Sequence, residues 1–153
     1  MRARLSSNRG DSWIELRRLT QVDDEIHCAL EWSGTKWDGD HVFPAKFDVR
    51  GGLWVRAMQL RQLHRMIVDW NSLPLAELAK TPLRGQVELA NELCLSFREL
   101  DNLVPGAPGH VGCVAEIRFG GFEQRISMHV DSSCLALFAE GLERLIAGVE
   151  EPE

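Results

Sequence analysis

Residues 110–130 read HVGCVAEIRFGGFEQRISMHV, and this stretch decides the fold. Apolar and polar residues alternate on both sides of Gly120-Gly121, the pattern of two strands joined by a two-residue turn. Pairing Phe119 with Phe122 fixes the rest. One face then carries Ile117/Gln124, Ala115/Ile126, Cys113/Met128 and Val111/Val130, and the other sets Arg118 against Glu123 and Glu116 against Arg125. A one-residue slip would turn the apolar set to water and spoil both charge pairs, so the register is strongly specified. Beyond Val130 the period changes to 3.6. Leu135, Phe138, Ala139, Leu142, Leu145 and Ile146 form one helical stripe, Asp131, Ser132 or Ser133 can cap its start, and Gly148 suits its end.

Working outward, residues 12–19 (SWIELRRL) place Ile14 and Leu16 on one face, and residues 25–32 (EIHCALEW) alternate cleanly. Ile26, Cys28, Leu30 and Trp32 point inward, while Glu25, His27, Ala29 and Glu31 point outward. The short polar link TQVDD makes the two a hairpin. SGTKWDGD is turn chemistry, and residues 41–49 resume alternation, with Pro44 marking an edge strand or a strand start. Residues 57–71 switch to a helical stripe through Leu60, Leu63, Ile67 and Trp70, and PLAEL adds one further turn. Strands over 86–90 and 92–99 precede a loop, NLVPGAPG. The expected fold is α+β: an antiparallel sheet of about six or seven strands, two main helices on one of its faces, in the order ββ-β-α-ββ-ββ-α. Residues 1–11 read as a basic flexible tail, 12–147 as a single domain and 148–153 as an acidic C-terminal tail.

Composition narrows the function classes. A chain of 153 residues can bury a core without a disulfide or metal staple. Cys28, Cys94, Cys113 and Cys134 lack CxxC spacing and read as reduced packing thiols, so a cytoplasmic location is expected. No apolar run is long enough to span a bilayer, and no membrane association is expected. Residues 1–18 set Arg2, Arg4, Arg9, Arg17 and Arg18 against Asp11 and Glu15, a local +3. The formal charge of the whole chain is -6, which leaves -9 for residues 19–153. A body of that sign is wrong for nucleic acid.

Catalytic constellations are weakly represented. There is no HExxH, no GxSxG elbow, no phosphate-binding glycine-lysine loop and no dinucleotide fingerprint, so no cofactor, no bound metal and no enzyme activity are expected. The alternative is a small enzyme or metal protein that gathers His27, His129 and Glu116 on the open sheet face. Cys134 sits near a helix N-terminus, where the dipole could lower its pKa. Among the tryptophans, Trp32, Trp54 and Trp70 are expected in the core. Trp37, between polar turn residues and beside Asp38 and Asp40, suits an interface anchor.

The phrases SWIELRRL, EIHCALEWSG, GGLW and LRQLHRMIVDW, followed by VELAN, LCLSFREL, a long hairpin and LALFAEGLERLI, resemble the WapI-type immunity proteins of bacterial polymorphic toxin systems. The likeness runs over residues 12–147 in element order and hydrophobic pattern. It implies a non-catalytic protein that neutralises a basic toxin domain by direct binding. The expected contact residues are Glu25, His27, Glu31, Trp37, Asp38, Asp40 and Glu88, the acidic and aromatic groups left free to meet a basic surface.

Overall fold

The computed structural model describes residues 1–49, 51–78, 80–98 and 110–148, with the backbone alone at 35–38, 42 and 43. In chain order these residues form β1 (Arg2–Ser6), β2 (Trp13–Val22), β3 (Glu25–Asp38), β4 (His41–Asp48), β5 (Leu53–Arg56), α1 (Ala57–Asn71), α2 (Leu75–Leu78), β6 (Gly85–Ala90), β7 (Leu93–Arg98), β8 (His110–Phe119), β9 (Phe122–Asp131) and α3 (Ser132–Ala147). The class is α+β, and all strand pairs described are antiparallel.

The β8–β9 hairpin has the register that its alternation demands, from Phe119 opposite Phe122 to Val111 opposite Val130. Its inward residues Val111, Cys113, Ala115, Ile117, Ile126, Met128 and Val130 are all buried. Asp131 then caps α3, its carboxylate accepting from the Cys134 N–H at 2.9 Å, and Gly148 ends that helix in the left-handed region at φ 72°. Helix α1 buries Leu60, Leu63, Ile67 and Trp70, the stripe read from its periodicity.

The single sheet does not form. The strands divide into a five-stranded sheet A, ordered β1-β2-β3-β4 with β5 also on β3, and a four-stranded sheet B, ordered β6-β7-β8-β9. The two long helices bridge the sheets, α3 lying on β1 and touching β9, α1 meeting α3, β5 and β6. One continuous core results, in which Ala3, Ile14 and Leu16 of sheet A face Leu89, Leu93 and Leu95 of sheet B across Phe138.

Three local readings change with it. Residues 2–6, expected within a flexible tail, are β1: Ala3 and Leu5 are fully buried, and Arg2 and Arg4, alternating with them, face water. The approach of α3 to this strand needs Gly141, where a Cβ would stand 2.8 Å from the Ala3 Cα. The segment SGTKWDGD is mostly strand, since β3 continues to Asp38 and only Gly39 and Asp40 turn. Finally, residues 53–56 add β5, which pairs with β3 on the side β4 occupies further along. Strands β4 and β5 are thus one interrupted edge, and the interruption needs glycine. At Gly52 (φ 66°) a Cβ would fall 2.3 Å from the Cys28 carbonyl oxygen. Pro44 lies in β4, an edge strand as its proline requires. Among the described residues no helix is long and apolar enough to cross a membrane.

Candidate interaction surface

The outward face of sheet A is assembled by three registers. At the β2–β3 turn Val22 stands opposite Glu25, but between Arg18 and Thr20 the pairing slips by one residue. That slip sets Glu15 opposite Glu31. The β1–β2 register puts Arg4 opposite Glu15, and the β3–β4 register puts Asp48 opposite Glu31. Three carboxylates therefore stand side by side on neighbouring strands, with one arginine at the end of the row.

Each carboxylate is treated differently. Glu15 is only 5% exposed, covered by Arg4 (Nε to Oε1, 3.1 Å) and approached by Arg2 at 3.7 Å. The Arg4 guanidinium also lies over the Trp13 ring, 4.2 Å from its centroid. Glu31 is half-buried and meets Lys46 Nζ at 3.1 Å. Asp48 is exposed at the sheet edge and forms no ion pair with any described residue. Like charges directly opposite each other destabilise a sheet, a cost that Arg2, Arg4 and Lys46 offset at Glu15 and Glu31 but not at Asp48.

Of the residues expected to meet a partner, Glu25, His27 and Glu31 do share this outward face of β3. Asp40 is exposed at the β3–β4 turn. Trp37 and Asp38 end β3 opposite Val42 and His41, but their side chains lie outside the described residues. Glu88 belongs elsewhere, on β6 of sheet B opposite Cys94. Trp54, expected in the core, is 43% exposed on the outward face and stacks on His27 with ring centroids 4.7 Å apart. His27 also hydrogen-bonds the Gly51 carbonyl.

The alternative His/Glu cluster is not assembled. His27 is committed to Trp54 and Gly51 on sheet A, whereas His129 and Glu116 lie on sheet B. Glu116 meets Arg118 at 2.8 Å and Arg125 at 3.8 Å. No group of three metal-ligating side chains converges among the described residues. His129 pairs instead with His110, Nε2 to Nδ1 at 2.7 Å, a partner the alternation of β8 and β9 did not single out. Desolvation, then the neighbouring His110, hold the His129 pKa below its ordinary value. Cysteine nucleophiles fare no better. Burial pushes the Cys28 and Cys113 thiols up to about 12. Cys134 is also raised, by burial first and by its contact with the Asp131 carboxylate, so the helix dipole does not prevail there.

A second surface feature joins the two sheets. Trp32, buried, stacks with Phe47 of β4 at 5.8 Å and donates its indole N–H to Gln124 of β9 at 2.9 Å. Phe119, Phe122, Asp48 and Val49 complete an apolar cleft of about 370 Å³ beside the β4 edge. No family model, curated protein or solved structure matches this chain.

Proposed function

We propose that this chain is a non-catalytic protein-binding module of the immunity type, neutralising a basic toxin domain through the outward face of sheet A. The observation that carries the reading is the carboxylate row Glu15–Glu31–Asp48. A sequence that breaks a local rule without gain in folding commonly does so where it functions. Here the row needs Arg2, Arg4 and Lys46 to hold Glu15 and Glu31 and leaves Asp48 for a basic group from outside, beside the exposed Trp54–His27 stack, an aromatic anchor suited to an interface. The excess acid of residues 19–153 adds a long-range field that attracts a basic partner and speeds its capture.

Co-expression tests this directly. The chain should restore growth to cells producing the toxic C-terminal domain encoded beside it and should co-purify with that domain. Absence of both rescue and complex would sink the assignment. Reversing Glu25 and Glu31 to Lys should slow association and weaken its salt dependence, read by stopped flow at two ionic strengths. The fold should survive with a loss of about 1 kcal/mol, because the lysine at position 31 is set against Lys46 and the one at position 25 against Arg56. Unaltered rates would move the contact off this face.

A further inference from the structure

We propose that the β4 edge of sheet A docks a second copy of this chain, the two β4 strands pairing antiparallel about Phe47. The inference goes beyond the toxin-binding reading and does not depend on it.

The edge has a free ladder. Val49 N–H bonds the Leu30 carbonyl, so along β4 the residues alternate between bonding β3 and facing away. Phe47 and Ala45 bond inward. Lys46 and Asp48 therefore turn their N–H and C=O groups outward, and so does Pro44, which has no N–H to offer. Among the described residues no strand pairs with that side of β4.

The sequence of the edge is complementary to its own reverse. Residues 45–49 are Ala-Lys-Phe-Asp-Val. Set antiparallel to itself with Phe47 opposite Phe47, the strand brings Lys46 of each copy opposite Asp48 of the other and Ala45 opposite Val49. The two outward-facing residues are thus the two that exchange main-chain hydrogen bonds, four bonds in all, and they carry opposite charges. Slipping the pairing by two residues loses both charge matches. Pro44 on one side and the Gly51–Gly52 step on the other confine pairing to this window.

The contact also relieves two features of the single chain. Asp48, the carboxylate with no described ion-pair partner at the open end of the row, gains a share of the neighbour's Lys46, whose ammonium bridges it to that copy's own Glu31. The aromatic cleft beside the edge, where Phe122 is 45% exposed, is covered by the neighbour's Phe47 and Val49. The symmetry is a closed twofold, the same patch on both copies. A contact of five residues on each strand is smaller than a standard interface of ~1,600 Å², so we expect a weak dimer and place the search for it between about 10 µM and about 1 mM chain.

Charge reversal tests it with the intact chain by sedimentation equilibrium. Wild type should associate to a dimer across that range. Lys46→Asp and Asp48→Lys each place like charges opposite one another twice, and each should weaken association at least about tenfold while circular dichroism stays native. Mixing the two variants sets an edge with two acidic groups against an edge with two basic ones, so both cross-strand pairs regain opposite charges and a 1:1 heterodimer should form. The double variant K46D/D48K should dimerise again. A wild-type chain that stays monomeric at about 1 mM, single reversals that dimerise as wild type does, or a mixture that fails to associate would each overturn the proposal.

Discussion

The outward faces of the two sheets treat charge in opposite ways. On sheet B the β8–β9 hairpin opposes unlike charges: Glu116 meets Arg118 and Arg125, and Arg118 also meets Glu123 at 3.5 Å. On sheet A the registers oppose like charges, Glu15 with Glu31 and Glu31 with Asp48, as well as Arg2 with Arg17. The face of that hairpin is self-contained. Sheet A holds its buried Glu15 because β1 lays Arg2 and Arg4 over it, and it leaves Asp48 at the β4 edge with no ion pair to a described residue. An external partner therefore has most to add at Asp48, since Glu15 and Glu31 already meet Arg2, Arg4 and Lys46 and the β8–β9 charges already meet one another.

The largest expected effect tests whether β1 is the structural element that this contrast requires. Leu5→Ala removes a fully buried side chain from the strand that carries Arg4. It should cost about 3 kcal/mol in urea denaturation. A cost under about 0.5 kcal/mol, the range of surface substitutions, would return residues 1–6 to the status of a tail and strip Glu15 of its cover. Next in size is the junction where the matched hairpin hands over to α3. Asp131→Ala deletes the acceptor for the Cys134 N–H and should cost about 1 kcal/mol. The Asp131 carboxyl is held at about 2, chiefly by the Ser133 hydroxyl and also by that N–H. A depressed carboxylate contributes stability above its unfolded value that is lost as pH falls through the folded one. The wild type should therefore lose stability relative to D131A between about pH 4 and pH 2, and parallel curves would contradict the cap.

How much of this was legible in the sequence depends on how locally each feature is encoded. The β8–β9 register was readable because a two-residue glycine turn, an apolar face and two charge pairs all agree within 21 residues. Helix α3 was readable because its stripe and both caps are contiguous. Strand β1 was not, since RARLS offers only Ala3 and Leu5 as apolar signal between arginines. Strand β5 was hidden in the same way, four residues behind a glycine step. The division into two sheets was beyond any local pattern, because the link from β5 to β6 runs through two helices and no alternation says which sheet a strand joins. The carboxylate row depends on the slip between Arg18 and Thr20. Extending the pairing from the turn without that slip would set Glu15 opposite Trp32, so the row exists only in three dimensions.

A smaller effect concerns the His110–His129 pair at the far end of the matched hairpin. The His129 pKa is depressed, so the unfolded chain takes up a proton there before the folded one does. Stability should be full above about pH 6.5 and should decline as the pH falls below it. His129→Gln should flatten that decline in denaturation curves recorded from pH 7.5 to pH 5. An unchanged slope would assign the acid sensitivity to other groups.

The smallest effect is the most direct comparison of the two faces, because its sign differs between them. Asp48→Asn removes one of two like charges placed opposite each other at an exposed edge. It should leave stability unchanged or raise it by a few tenths of a kcal/mol. Glu116→Gln removes a carboxylate that two arginines share, and it should lower stability by about 0.5 kcal/mol. Both changes keep volume nearly constant, so packing does not confuse the reading. Added salt should shrink both differences, since each is an interaction between solvent-exposed charges. Thermal denaturation of the pair at low ionic strength, with the chain dilute enough to be monomeric, isolates the sign. If Asp48→Asn destabilised as much as Glu116→Gln, Asp48 would have a stabilising partner within its own chain. The excess charge assigned to the edge would then be gone, and with it the contrast between the two sheets.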